Sequence, residues 1–138
     1  MRRAAKALIF DNQGKILVLY RSETHPTLAH DIDLPGGEVE EHETTILGLV
    51  REIFEETGLT VDIDDIHLQN SWMARSGQRQ ELYGVFIEEV DDVIISWEHE
   101  AYDWISPDEM IDHSAVDDYI VRAQSWLRWQ RKQTYSLR

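Results

Sequence analysis

The chain has 138 residues, of which 42% are hydrophobic and 29% charged, and its formal net charge is −14. This length fits one domain over residues 1–138 with a buried core, and the composition is that of an ordinary globular protein. With no cysteine, disulfides, zinc–thiolate sites and cysteine nucleophiles are excluded, and no apolar run approaches the roughly eighteen residues of a membrane span.

The charge is unevenly spread. Residues 1–118 hold 8 basic and 27 acidic side chains, whereas residues 119–138 hold 5 basic and no acidic ones. An acidic body disfavours non-specific binding to a nucleic-acid backbone, so neither a nucleic-acid nor a membrane partner is expected. Carboxylates that hold divalent cations reverse the local sign, which keeps an anionic small molecule compatible with this surface. The basic start Met1-Arg2-Arg3 runs into an apolar stretch broken by Lys6 and Asp11, which argues against a cleavable signal peptide. A cytoplasmic location fits this reading.

In chain order, residues 4–10 (AAKALIF) and 16–20 (ILVLY) are apolar runs of strand length. Asp11-Asn12-Gln13-Gly14 between them is turn chemistry, so a hairpin is expected. Residues 22–33 are polar, contain His25-Pro26 and read as a loop, followed by a short strand or turn from Leu34 to Val39. Residues 44–57 read as a helix, because Ile46, Leu47, Val50, Ile53 and Phe54 recur at spacings of three, four and seven, with Gly58 at the C-cap. Strands are expected over 66–74 and 80–90, the second apolar on both faces and hence covered on both sides. Two short strands are expected over 93–97 and 101–105. Ser106-Pro107-Asp108-Glu109 has the pattern of a helix start. A last helix is traced by Val116, Tyr119, Ile120, Ala123, Trp126, Leu127 and Gln130. Its apolar stripe reads as a docked helix rather than a nucleic-acid surface, despite the basic residues from Arg122 to Lys132. Strands and helices mix, which gives an α/β layered domain.

The chemistry concentrates in Arg51-Glu52-Ile53-Phe54-Glu55-Glu56. At 100° per residue, Glu52, Glu55 and Glu56 fall within about a 100° arc of the helix. Uncompensated, such carboxylates repel by a few tenths of a kcal/mol per pair, on the order of 0.2–0.5. A hard divalent cation such as Mg²⁺ wants oxygen ligands of this kind. Arg51 lies beside Glu55 on the wheel and can orient it or receive a phosphate oxygen. Gly48 falls on the glutamate side, one turn earlier, where it would leave open space. Gly36-Gly37 lets backbone approach an ion or ligand closely. Glu43 precedes the helix as an N-terminal acidic or capping group.

Residues 37–59, GEVEEHETTILGLVREIFEETGL, resemble the Nudix box, G-x5-E-x7-R-E-U-x-E-E-x-G-U. All defined positions match: Gly37, Glu43, Arg51, Glu52, Ile53, Glu55, Glu56, Gly58 and Leu59. The lead-in Asp33-Leu34-Pro35-Gly36 is similar too, although Ile32 stands where many members have tryptophan. Downstream, Glu98-His99-Glu100-Ala101-Tyr102-Asp103-Trp104 is similar to the family loop and strand that supply one more carboxylate.

The resemblance implies an α/β/α sandwich around a mixed β-sheet and a Mg²⁺-dependent pyrophosphohydrolase, with Mn²⁺ as a possible substitute. The substrate would be a nucleoside di- or triphosphate or another nucleoside-diphosphate-X compound, with water attacking phosphorus. Carried over, Glu52, Glu55 and Glu56 bind the metal with the Gly36 carbonyl and Glu98, and Arg51 fixes the carboxylates. Glu43 supports the loop–helix junction. The general base is either Glu52 or a later carboxylate, Glu98 or Glu100, with Glu98 favoured by its spacing to Trp104. His99 is a rival base, weighed against a packing role. Arg21 is a candidate substrate contact. Trp72, Tyr83 and Phe86 could include a base-stacking ring, with core packing expected for at least two of them.

Two alternatives accompany this reading: a dinucleoside polyphosphate hydrolase, and a non-catalytic nucleotide-binding module of the same fold. The module should have lost carboxylates that are all present here. An isomerase of the prenyl-diphosphate type depends on a cysteine this chain lacks. A simple cation buffer gives the box arginine and glycines no role. A homodimer is compatible with the family.

Overall fold

The computed structural model describes residues 1–24 and 30–136, and the side chains up to residue 133. The His25-Pro26 part of the expected loop lies outside the described residues. The order is β1 (Arg3–Phe10), β2 (Ile16–Arg21), β3 (Ile32–Asp33), β4 (Gly36–Val39), α1 (Thr45–Thr57), a 3-10 turn (Ile63–Asp65), β5 (Ile66–Met73), β6 (Arg79–Phe86), β7 (His99–Ile105), α2 (Pro107–Asp112) and α3 (Asp118–Ser136).

The seven strands form one mixed sheet, with β3-β2-β1-β6-β5 along its main path, β4 on β1 and β7 on β2. Among the described residues, only the β1/β6 pair is parallel. The expected hairpin joins β1 to β2: Asp11 Oδ1 accepts from the Gln13 and Lys15 N–H groups, both at 2.9 Å, and Gly14 takes φ 76°. The two strands pair at Phe10 and Ile16 and then diverge. Residues 32–39 fill the opening, with β3 bonded to β2 and β4 bonded to residues 3–6 of β1. The sheet therefore forks along one edge of β1.

Period-two alternation along β1 divides the core. Ala5, Ala7 and Ile9 face α1 together with Leu17, Leu19, Leu49, Ile53 and Val85. Leu8 and Phe10 face α2 and α3 together with Val18, Leu82, Met110, Ile120, Ala123 and Leu127. Three layers result, as the sequence led us to expect, and the sheet is covered on both sides. Helix α1 starts at the Thr44 cap, whose hydroxyl accepts from the Leu47 N–H, and ends on Gly58 at φ 74°. Ser106 caps α2 in the same way, with Pro107 in its first turn.

Four details differ from the sequence reading. Residues 32–33, the end of the expected loop, form β3 on β2. Residues 93–97 form no strand; Val93 and Ile95 instead pack against the α1 layer, and the Ile94 N–H bonds the Thr57 carbonyl at 2.8 Å. Strand β6 stops at Phe86, before the carboxylate-rich stretch Glu88–Asp92. On α1, Leu47 and Phe54 are exposed, while Leu49 and Ile53 are fully buried. The helix is rotated so that Glu56 and Thr57 also turn inward, which the apolar spacing alone does not indicate. Burying Leu49 and Ile53 stabilises by about 1.5–3 kcal/mol each.

Candidate active site

Helix α1 sets its carboxylates against the glycine-rich strand β4, and Arg51 organises the junction. Its Nε and Nη2 donate to the two Glu43 oxygens at 2.8 and 2.9 Å. Its Nη1 reaches Glu52 at 3.1 Å and Glu55 at 3.1 and 3.2 Å, and Nη2 also donates to the Glu38 carbonyl. The Arg51 hydrogen bonds, then the Glu40 N–H, pull the Glu43 carboxyl down to about 2. Glu43 is thus the anchor of Arg51, and Arg51 gathers the helix carboxylates.

The glycines fit around these side chains. A Cβ on Gly37 would lie 2.8 Å from Glu52 Oε2, so the residue leaves room for that carboxylate. Gly36, at φ 136°, lies against β1, where a Cβ would come within 2.2 Å of the Ala5 carbonyl oxygen. Gly48 does not open space beside the glutamates. It is buried, and a Cβ there would meet Val39 Cγ1 at 2.9 Å, so this glycine lets α1 approach β4.

Glu52, Glu56 and Glu98 line one cleft of about 470 Å³ with Lys6, Asp33, Gly36, Gly37 and Glu38. Glu56 is buried and accepts the Gly36 N–H at 2.9 Å. Burial, only partly offset by Lys6 and the Gly36 N–H, pushes its carboxyl up to about 8. Burial also raises Glu52. Glu55 stays on the exposed edge, held by Arg51. Glu98 comes from the turn before β7, whereas Glu100 points away and bonds His30 Nδ1 at 2.8 Å.

Beneath the cleft lies a buried charge cluster. Asp33 pairs with Lys6, Arg21 (3.2 Å) and His99 Nε2 (3.0 Å), and accepts the Leu34 N–H at 2.9 Å. Burial alone would raise Asp33, but Lys6, His99 and Arg21 outweigh it and hold the carboxyl well below the usual carboxylate range. An ionised Asp33 only accepts, so His99 Nε2 donates. The other ring nitrogen lies 3.6 Å from Glu56 Oε2. The His99 side chain is fully buried. Arg21 is also buried and joins Asp33 to Asp117, 3.2 Å away, so its guanidinium meets the cleft through Asp33. Among the proposed stacking rings, Trp72 and Tyr83 are buried and Phe86 is half exposed.

The structure thus brings Gly36, Glu52, Glu56 and Glu98 together, ties Arg51 and Glu55 to their edge and sets Arg21 behind them. The sequence reading gave no role to Lys6, the cation on the cleft floor. Its signal was a lysine inside the apolar run AAKALIF, on a strand that becomes central. The donor set suits a metal. Asp33, Glu56 and His99 could place ligand atoms within 4.8 Å of one another. Asp33 is already paired with Lys6 and Arg21, however, so an ion in the cleft would draw its oxygens from Glu52, Glu56 and Glu98, which line it. An all-oxygen set of this kind fits a hard divalent ion.

Comparison with known proteins agrees with this geometry. The NUDIX domain family matches residues 1–129. A MutT protein from Methanosarcina mazei Go1 superposes with a TM-score of 0.73 at 30% identity, over 95% of this chain and 94% of that one. A CTP pyrophosphohydrolase from Escherichia coli (strain K12) is 28% identical over 78% of each chain. A MutT-like protein from Streptomyces ambofaciens is 27% identical over 83% of this chain and 70% of its own length. The carboxylate helix, the glycine strand facing it and the layered sheet around them are those of a Nudix hydrolase, and the chain belongs to that family.

Proposed function

We propose that the chain is a Mg²⁺-dependent pyrophosphohydrolase of nucleoside di- or triphosphates or related nucleoside-diphosphate-X compounds. The observation that carries this reading is the convergence of Glu52, Glu56 and Glu98 in one cleft beside the Gly36-Gly37 backbone. These carboxylates, with the Gly36 carbonyl and with Glu55 at the edge, would hold Mg²⁺ or Mn²⁺. When bound, the ion neutralises charge on the phosphate oxygens and acidifies the attacking water.

The chain's own residues do the rest. Arg51 holds Glu52 and Glu55 in register with Glu43. Glu98 takes the proton as water attacks phosphorus, the new P–O bond forms and the bridging P–O bond breaks. We assign the base to Glu98 rather than Glu100 because Glu98 lines the cleft and Glu100 is engaged by His30. His99 is a positioning residue between Asp33 and Glu56, since its buried ring already bonds Asp33. The name of the Escherichia coli relative supports including cytidine nucleotides among the first substrates tried.

The test is product release from nucleoside triphosphates and diphosphates, oxidised triphosphates, dinucleoside polyphosphates, nucleotide sugars and ADP-ribose, with and without Mg²⁺ or Mn²⁺. Metal-dependent turnover is expected, falling by more than about 100-fold in Glu52→Gln and Glu98→Gln. Turnover that survives Glu98→Gln would remove Glu98 as base. No turnover on any compound would defeat the substrate assignment.

A further inference from the structure

Glu98 sits in the turn that leads into β7, and that turn is fastened to the end of β2. The β2/β7 ladder runs in register from Ile16 opposite Ile105 to Tyr20 opposite Ala101 and then shifts, so that Arg21 opposes His99 and Glu100 is the extra residue of a bulge. A bulge of this kind re-aims the side chains around it. Here Arg21 and His99 both turn inward to Asp33, while Glu100 is turned out to His30 Nδ1 at 2.8 Å. His30 is itself held against β2, its N–H donating to the Arg21 carbonyl at 2.7 Å with the backbone at φ 68°.

Beyond the bulge, half-buried Ser22 holds the turn with both of its donors. Its N–H donates to the Glu98 carbonyl at 2.9 Å, and its hydroxyl donates to the Trp97 carbonyl at 3.0 Å. A carbonyl only accepts, so the single hydroxyl proton of Ser22 is committed to Trp97. The Thr24 hydroxyl, 3.0 Å away, is then the donor to Ser22 Oγ. The turn is closed by the His99 N–H on the Ser96 carbonyl at 3.1 Å. Both peptide planes that meet at the Glu98 Cα are therefore tied, the first through the Trp97 carbonyl and the second through the Glu98 carbonyl and the His99 N–H. Since each plane is rigid, the backbone of Glu98 is set. Packing of the neighbouring ring does not do this, because Trp97 is 70% exposed. What Glu98 keeps is the rotation of its own side chain, which lines the cleft with Glu52 and Glu56.

We infer that Ser22 is a positioning residue for the base: its hydroxyl fixes the peptide ahead of Glu98 and so sets where the carboxylate meets the attacking water. This rests on the reading of Glu98 as base in the hydrolysis proposed above. Ser22 does not line the cleft, so its effect runs through the Glu98 backbone. It falls on the chemical step rather than on nucleotide binding. Misplacing such a group by about 1 Å costs up to about 100-fold in rate. Removing the hydroxyl alone leaves the Ser22 N–H bond in place, so the loss is smaller.

The experiment has two arms on the full chain. In the first, kcat and KM are measured at saturating Mg²⁺ on the best nucleotide of the substrate panel. The proteins are the wild type, Ser22→Ala and Ser22→Thr, each also in the Glu98→Gln background. Ser22→Ala should lower kcat about 10-fold with KM within about twofold, and Ser22→Thr, which keeps a hydroxyl, should restore most of the rate. On top of Glu98→Gln the alanine should cost less than about twofold, because the group it positions is already gone. In the second arm, amide hydrogen exchange is followed without substrate. The His99 N–H closes the turn, and its exchange should be about 10-fold faster in Ser22→Ala and near wild type in Ser22→Thr, with the β5–β6 ladder unchanged.

A wild-type kcat in Ser22→Ala, a loss that moves KM instead, or the same 10-fold loss in the Glu98→Gln background overturns the proposal and leaves hydrolysis standing. Full turnover in Glu98→Gln removes Glu98 as base, and no turnover on any compound removes the hydrolysis reading. In either case the exchange arm decides alone, and unchanged His99 exchange in Ser22→Ala overturns the clamp.

Discussion

At the scale of single residues, the site depends on two buried carboxylates in opposite situations. Asp33 has cations on two sides and stays ionised; Glu56 is buried with a distant lysine and one backbone N–H. In metal-free protein the Glu56 carboxyl is pushed up to about 8, from an ordinary value of 4.5. The fold therefore favours its protonated form. That contribution is complete below about pH 4.5 and is lost as pH rises through about 8. In urea unfolding with EDTA, stability relative to Glu56→Gln should decline across this window, and added Mg²⁺ should reverse the decline because it binds the ionised form. A difference that rises with pH in EDTA would mean that Glu56 is ionised in the folded state without metal. The carboxylate cluster itself was legible in the sequence, because a helix of known period puts Glu52, Glu55 and Glu56 on one arc. The contrast between Asp33 and Glu56 was not, because it depends on Lys6 and Arg21 arriving from β1 and β2.

At the scale of elements, α1 shows what periodicity reads well and what it misses. Its limits follow from Thr44 and Gly58, which act locally. Its rotation does not, because Leu47 and Phe54 score as apolar yet lie outside. What decides the rotation is the close approach of Gly48 to Val39 and the Arg51 hub, both contacts with a different element. Gly48→Ala separates the two influences. Alanine gains about 0.5–1 kcal/mol of helix propensity. Its Cβ would press on Val39 at 2.9 Å, and overpacking of this kind costs about 1–3 kcal/mol. The variant should be less stable by about 1 kcal/mol in chemical unfolding, with Mg²⁺ affinity reduced as Glu52 shifts. A more stable Gly48→Ala protein would show that the contact yields freely. The segment 93–97 carries the same lesson: its Val-Ile-Ile run has strand composition, but its backbone bonds the end of α1 instead.

At the scale of the whole molecule, the layer order was legible because strand runs, helix stripe and cap residues agreed with one another. The pairing was less so. Nothing local announces that β1 leaves β2 after one pair and takes β4 instead, since that choice is made between segments more than twenty residues apart. The forked sheet that results has a mechanical consequence. Its two prongs, β1 with β4 and β2 with β3, are tied across the gap by the short Leu34-Pro35 bridge, where the Ala7 N–H bonds the Pro35 carbonyl. The cleft opens where the prongs part, so its walls can breathe without breaking a strand ladder. A ligand seated there acts as a splint. Amide hydrogen exchange at Ala7 and Arg21, whose bonds hold the inner edges, should slow when Mg²⁺ and nucleotide are added, while exchange within the β5–β6 ladder stays the same. Equal slowing in both places would mean that the whole sheet tightens as one plate. Slowing confined to the fork would make catalysis here an act of bracing, in which the substrate supplies the crosspiece that the strands lack.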